Sequence, residues 1–205
     1  MKYILSLVSL MLSWLSLAQD NSLLDRMCDN VTSSCVALEY TYTARVSGVD
    51  NKGSGTLISQ DEKWTLDGNG VEMYCDGSAV WVVDPALKEV VIEPVEDEQQ
   101  TEFLTNPARI FVGLKDSFKV NVANPSSDGK SVVFSLVPVK ATEVEFLNVD
   151  VYTDSAMIRD MSFALKDGTL VKIEVNSMKL TPKVSDKDFV PQTVFDSKWI
   201  VTDLR

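Results

Sequence analysis

The sequence contains no histidine in its 205 residues. This absence excludes Ser-His-Asp and Cys-His catalysis, and it excludes metal sites built on imidazole ligands. No phosphate-binding loop, metal-ligand spacing or nucleophile elbow compensates for it. An enzyme is therefore the least favoured class of function, and we expect no catalytic residue, no metal and no cofactor.

Basic residues are scarce as well. The chain carries 19 Lys and Arg against 30 Asp and Glu, which gives a net charge of −11 at pH 7. Proteins that bind nucleic acid need clustered Lys and Arg to neutralise phosphates. Attachment to anionic lipid headgroups needs the same basic clusters. We therefore expect neither nucleic acid nor a charged membrane surface as a partner.

Cysteine is limited to Cys28, Cys35 and Cys75, an odd number that cannot pair completely. Cys28 and Cys35 are close in sequence and could form a disulfide in an oxidising compartment. Three buried thiols are an equal alternative. The sequence does not decide between them, although Cys75 fits a core thiol in either case.

Long apolar runs are absent except at the N-terminus, where Lys2 precedes an almost uninterrupted apolar stretch from Tyr3 to Leu17. Ser16 and Ala18 then provide the small residues that a signal peptidase requires. An N-terminal membrane anchor is the alternative, but the run is short for a span, which needs roughly 20 apolar residues. We predict that residues 1–18 form a signal peptide cleaved near Ala18, and that residues 19–205 form one exported domain.

Hydrophobic periodicity supplies most of the structural information. Residues 20–29 place apolar side chains at helical spacing and predict a short amphipathic helix. From Cys35 the period changes to two, with Leu38, Tyr40 and Tyr42 on one face of a long strand. Residues 48–55, which contain three glycines, fit a turn. Leu57, Trp64 and Met73 are then inward-facing candidates on the strands that follow.

The stretch from Tyr74 to Pro94 predicts short apolar strands joined by tight turns, with Trp81 at the centre of the first. Both Val80 and Val82 flank this tryptophan, so alternation alone does not say which face is buried. We place Trp81 on the same apolar face as the inward residues before it.

The segment after residue 94 interrupts the alternation. It begins with acidic residues, as a helix N-terminus prefers, and Asn106-Pro107 divides it into two parts. We predict two short helices that cover the sheet as a lid, with ordinary helix packing as the alternative. The proposed lid residues are Phe103, Leu104, Ile110 and Phe111.

Six further strand patterns follow between residues 118 and 204. The order is therefore helix, about six strands, helices, about six strands, with no internal repeat and no linker. We predict an α+β fold in which a strongly curved antiparallel sheet of about 11 strands forms an incomplete β-barrel. A few short helices cover its concave apolar face.

Short motifs in this order resemble the outer-membrane lipoprotein carrier family, the LolA-like periplasmic chaperones. The family's hairpin of Asp-Gly, Trp and a Pro turn stands here as Asp76-Gly77, Trp81 and Asp84-Pro85. The strand start Gly55-Thr56-Leu57, the aromatic first strand, and Phe189 with Pro191 near the end are similar too. Two positions depart from the family: Val83 replaces a usual Tyr, and residues 59–66 lack the Arg-Pro pair that helps to hold the lid.

The resemblance implies a periplasmic shuttle that takes acylated lipoproteins from an inner-membrane ABC transporter and shields their acyl chains in an apolar cavity. An outer-membrane acceptor is a further candidate partner, and we expect a monomer. Burial alone is sufficient chemistry, because each buried methylene contributes roughly 0.8 kcal/mol. The implied cavity residues are Leu38, Tyr40, Tyr42, Leu57, Trp64, Met73 and Trp81.

The sequence leaves two alternatives open. The same apolar residues could form an ordinary core, since alternation of this kind usually marks one. A sensory or structural module on the same half-barrel, binding a protein partner, is the second candidate function.

Overall fold

The computed structural model describes residues 22–95 and 113–205. Residues 22–33 are helical (α1). Six strands follow, namely β1 Cys35–Val46, β2 Val49–Gln60, β3 Lys63–Gly68, β4 Val71–Cys75, β5 Ala79–Asp84 and β6 Glu89–Pro94. After the short helix α2, Leu114–Ser117, come β7 Phe118–Pro125, β8 Ser131–Pro138, β9 Val144–Tyr152, β10 Ile158–Leu165 and β11 Leu170–Thr181. A 3₁₀ helix at Asp186–Phe189 and β12 Ile200–Asp203 complete the described chain.

All twelve strands belong to one sheet with the order β12-β6-β5-β4-β3-β2-β1-β11-β10-β9-β8-β7. Neighbours are antiparallel except β12, which runs parallel to β6. The sheet is not closed, because β7 and β12 occupy opposite edges. The predicted α+β incomplete barrel and its six-plus-six strand order are confirmed, with one strand more than the expected number.

The central seam joins the two halves of the chain. Strand β1 pairs with β2 on one side and with β11 on the other, so that Leu38 lies opposite both Leu57 and Met178. A register shift between Glu39 and Tyr40 interrupts the β1–β11 pairing. Such a bulge bends the strand and increases its twist, as a curved sheet requires.

One face of the sheet, here called the core face, carries the main hydrophobic cluster. Cross-strand registers place Leu38, Leu57, Leu66, Met73 and Val82 side by side on this face. Helix α1 packs on the same cluster with the buried residues Leu23, Leu24, Met27, Cys28 and Val31. The predicted helix at 20–29 is therefore present and extends to residue 33, where the Thr32 and Ser33 hydroxyls donate to carbonyls of the preceding turn.

The opposite face, here called the outer face, carries a second, smaller cluster on β5 and β6. Ala79, Val83, Val90 and Ile92 are its buried members. Residues 182–199, which we call the C-terminal strap, connect β11 to β12 across this face. The half-buried rings of Phe195 and Trp199 pack against the cluster, in T-shaped contact with centroids 5.0 Å apart.

Polar contacts fix the beginning of the strap. The side chain of Gln60, buried on the outer face, accepts a hydrogen bond from the Val184 amide at 2.7 Å and donates to the Val184 carbonyl at 3.2 Å. Lys63 pairs with Asp186 in the 3₁₀ helix, which packs on β3. Phe189, at the end of that helix, is completely buried.

The turn predicted at residues 48–55 is wrong, and the predicted lid is not described by the structure. Residues 48–55 do not form a turn, since β2 begins at Val49 and the turn is limited to Ser47 and Gly48. The residues predicted to form a lid lie outside the described residues and stay a prediction; they are Phe103, Leu104, Ile110 and Phe111. No helix within 22–95 and 113–205 is long and apolar enough to cross a membrane.

Candidate functional site

Burial on the core face decreases along β1. Val36 and Leu38 are buried, Tyr40, Tyr42 and Ala44 are half-buried, and Val46 is exposed. The same gradient appears on β3, where Trp64 is completely buried and Leu66 is half-buried. The core face therefore consists of a packed end and a half-buried end.

Two tyrosines cover two glycines at the half-buried end. Tyr40 lies opposite Gly55, and Tyr42 lies opposite Gly53, on neighbouring strands. A Cβ atom added to Gly53 would stand 2.6 Å from the Tyr42 ring, and one added to Gly55 would stand 2.8 Å from the Tyr40 hydroxyl. The rings therefore occupy the space that side chains of β2 would take. The glycines of residues 48–55 serve this close approach and do not make a turn.

The tyrosine hydroxyls are the polar groups of this apolar surface. The Tyr42 Oη atom accepts a hydrogen bond of 2.6 Å from Nδ2 of Asn69, which lies in the β3–β4 turn. The two tyrosine rings have centroids 6.5 Å apart and are tilted by 40°. Burial raises the pKa of Tyr40, and the neighbouring Tyr42 adds to that rise. Tyr40 is therefore a neutral hydrogen-bonding group at physiological pH.

Strand β11 supplies the other wall of this half-buried surface. Val175 lies opposite Tyr40, and Ile173 lies opposite Tyr42. Both pack half-buried against the main cluster, as does Met178. The alternation within residues 170–181 predicts this strand. The same alternation indicates its inward-facing residues, which are not among those predicted to line the cavity.

Six of the residues predicted to line the cavity share the core face, but they differ in burial. Tyr40, Tyr42 and Met73 are half-buried, whereas Leu38, Leu57 and Trp64 belong to the packed end. The Trp64 Nε1 atom is buried and has no hydrogen-bond partner among the residues that the structure describes. The structure therefore separates this set into a packed base and a surface that ligands could reach.

The prediction that Trp81 lies on the core face is wrong, because its side chain lies on the outer face. Its cross-strand partners are Tyr74 and Ile92, which lie on the outer face, while Val80 and Val82 point to the core face. Trp81 packs half-buried in the smaller cluster beneath the C-terminal strap. Tyr74 beside it donates a hydrogen bond of 2.8 Å to Glu72. Burial, followed by that carboxylate, raises the pKa of Tyr74 to about 12.

The three cysteines are free thiols, and all three are buried. Burial raises the pKa of Cys28 to about 11 and also raises the pKa of Cys35 and of Cys75. The thiolate form is therefore suppressed, so these groups are poor nucleophiles. Among the described residues, no group of three or more Cys, Asp or Glu side chains is arranged to hold a metal ion.

Comparison with known proteins identifies a sequence family that matches this chain and solved structures with a similar fold. The model of the family described as outer membrane lipoprotein carrier protein LolA matches residues 63–192. No curated protein matches the sequence.

Solved structures resemble the fold at low sequence identity. An uncharacterized conserved protein from Thermus thermophilus is 12% identical, with a TM-score of 0.55 over 89% of this chain and 98% of that chain. A DUF1329 family protein from Desulfovibrio piger is 15% identical, with a TM-score of 0.50 over 82% and 95%. A LolA superfamily protein from Nitrosomonas europaea is 10% identical, with a TM-score of 0.45 over 84% and 97%.

Proposed function

Because the chain belongs to the LolA family of outer membrane lipoprotein carrier proteins, we propose that it is a periplasmic carrier that shields the acyl chains of lipoproteins. The proposed binding surface is the half-buried end of the core face. Its members are Tyr40, Tyr42, Leu66, Met73, Ile173 and Val175.

The observation that carries this proposal is the continuity of the surface. These side chains occupy neighbouring positions on β11, β1, β3 and β4, with the glycines of β2 covered by the tyrosine rings. An acyl chain of a dozen methylenes buried there would gain roughly 10 kcal/mol before the costs of association. That gain is enough to keep a lipid chain out of water without covalent chemistry.

The route of the cargo belongs to the same proposal. Residues 1–18 would direct export and be removed, leaving a monomer in the periplasm. The donor would be an inner-membrane ABC transporter that releases lipoproteins, and an outer-membrane acceptor would be the destination. The acidic composition of the chain supports a carrier that does not adhere to anionic lipid surfaces.

Binding of Nile red, a neutral dye that fluoresces in apolar surroundings, tests the proposed surface. We expect fluorescence gain with the wild-type protein and loss of that gain in Tyr40→Glu and in Met73→Glu, because each introduces a charge where the dye is buried. Thr43→Glu is the matched control, since residue 43 lies on the same strand but on the outer face, opposite Lys172. This control should bind the dye as the wild type does.

Lipids extracted from the purified protein and identified by mass spectrometry provide the second measurement. Acylated lipoprotein fragments are the expected product. If Tyr40→Glu and Met73→Glu are both folded by circular dichroism and bind Nile red as well as the wild type, the surface is placed incorrectly. A wild-type protein that carries no lipid and binds no dye would contradict the carrier function itself.

A further inference from the structure

The half-buried surface combines apolar walls with two hydroxyl groups whose protons have no acceptor among the described residues. The Tyr42 Oη atom accepts from Asn69, and this leaves its own O–H bond free to donate. The Tyr40 hydroxyl makes no hydrogen bond within the described ranges. A hydrocarbon chain alone offers neither donor an acceptor.

The position of these hydroxyls is fixed by the backbone. The Tyr40 ring lies across Gly55, and the Tyr42 ring lies across Gly53, at distances that leave no space for a β2 side chain. Asn69, whose left-handed φ of 55° suits an asparagine, holds the second hydroxyl from the neighbouring turn. The two donors are therefore presented in fixed positions and do not have to be ordered when a ligand binds.

We propose that the Tyr40 and Tyr42 hydroxyls donate hydrogen bonds to the ester carbonyls of a diacylglyceryl group whose hydrocarbon chains lie on the adjoining apolar surface. This inference rests on the proposed carrier function and names the side-chain groups that recognise the cargo. An ester carbonyl is an acceptor without a proton, which is the complement of a free phenolic O–H. The two tyrosines are neighbours, with ring centroids 6.5 Å apart, and their hydroxyls equal in number the two ester carbonyls of the group.

A matched pair of ligands tests this recognition. One is a synthetic lipopeptide whose cysteine carries a dipalmitoylglyceryl group. The other is its dihexadecyl ether analogue, which has the same peptide and two hydrocarbon chains but no ester carbonyls. Displacement of Nile red measures both affinities. We expect the wild-type protein to bind the ester more tightly, by about five-fold for each hydrogen bond.

Three variants assign that preference to named atoms. Tyr40→Phe and Tyr42→Phe keep the rings over the glycines, so each should lose about five-fold in ester affinity with the ether affinity unchanged. Asn69→Asp should reproduce the Tyr42→Phe result, because a carboxylate would accept the Tyr42 proton and remove it from the ligand. Tyr152→Phe, a tyrosine of the outer face, is the control and should keep the full preference.

The outcomes separate this inference from the proposed function. Equal affinity of the wild type for ester and ether, or an unchanged preference in both tyrosine variants, overturns the hydroxyl recognition while leaving the carrier function intact. Failure of both ligands to bind the wild type overturns the carrier function and this inference with it. An ester preference seen only with the lipopeptide assigns the carbonyls to lipoproteins. The same preference with phosphatidylcholine and its ether analogue assigns them to diacylglyceryl lipids in general, and both results support the inference.

Discussion

Truncation of Phe189 tests how firmly the C-terminal strap is attached to the sheet. The side chain is completely buried, although most strap residues before it are exposed. Replacing a buried Phe with Ala typically lowers the free energy of unfolding by about 3–5 kcal/mol. The ion pairs of the strap offer little compensation, because exposed pairs such as Lys183 with Asp61 contribute about 0–1 kcal/mol. We therefore expect Phe189→Ala to lower the free energy of unfolding by nearly the full amount, about 3–5 kcal/mol.

Urea unfolding followed by circular dichroism measures this cost. Thermal unfolding gives the same cost as a change in Tm. For a domain of this size, 1 kcal/mol corresponds to about 2–4 °C, so we expect the Tm to decrease by about 6–20 °C. Val194→Ala is the matched control in the same strap, since the Val194 side chain is 83% exposed. Its effect should stay within about 0.5 kcal/mol.

Hydrogen exchange distinguishes local opening of the strap from a loss of stability throughout the sheet. The Ile200 amide donates to the Lys88 carbonyl, and the Leu204 amide donates to the Ile92 carbonyl, both at 2.9 Å. Faster exchange of these two amides in Phe189→Ala, with β1 and β11 still protected, would show that the strap opens separately. A loss of less than about 1 kcal/mol with unchanged exchange would refute the anchoring role of Phe189.

Three further predictions concern separate features. Gly55→Val should clash with the Tyr40 ring and with the Asp67 carbonyl oxygen, and it should lower the free energy of unfolding by about 1–3 kcal/mol in urea denaturation; unchanged stability would contradict the close packing. Glu72→Gln should lower the pKa of Tyr74 from about 12 towards its usual value of 10, as followed by phenolate absorbance. Because the folded pKa is raised, the stability contributed by Tyr74 is present below about pH 10 and is lost as pH rises through about 12. A thiol reagent should react with all three cysteines only after unfolding, with Cys28 (pKa about 11) protected in the native state; fewer than three reactive thiols in denaturant without reductant would indicate a disulfide.

Alternation predicted the strands well wherever one face of the sheet meets solvent. Along β1 the polar Glu39 and Thr41 alternate with Leu38, Tyr40 and Tyr42, and this pattern fixes the face without knowledge of any neighbour. The order of the elements followed from the same reasoning. These predictions need only local information.

Trp81 shows where local information is insufficient. In β5 both faces are apolar. Val80 packs against the main cluster and Val82 lies opposite Met73 on the same face, while Trp81 packs against the smaller cluster that the strap also covers. The strap residue Trp199 is distant in sequence, so no local period could reveal that the outer face is covered at this strand. The glycines at 53 and 55 show a similar limit, since glycine normally indicates a turn. Here they are explained by the Tyr42 ring at Gly53 and by the Tyr40 hydroxyl and the Asp67 carbonyl at Gly55.

The pairing of β1 with β11 sets a condition on the folding pathway. The hairpins from β2 to β6 join neighbours in sequence, and so do those from β7 to β11, whereas the central seam must close a loop that spans most of the chain. Loop-closure entropy makes such pairings slow to form, and high contact order predicts slow folding overall. The edge of β6 is covered only when β12, which follows β11 and the strap along the chain, pairs with it. Until the seam and the strap are in place, each half of the sheet presents apolar side chains and an unpaired strand edge, and these are the features that promote aggregation.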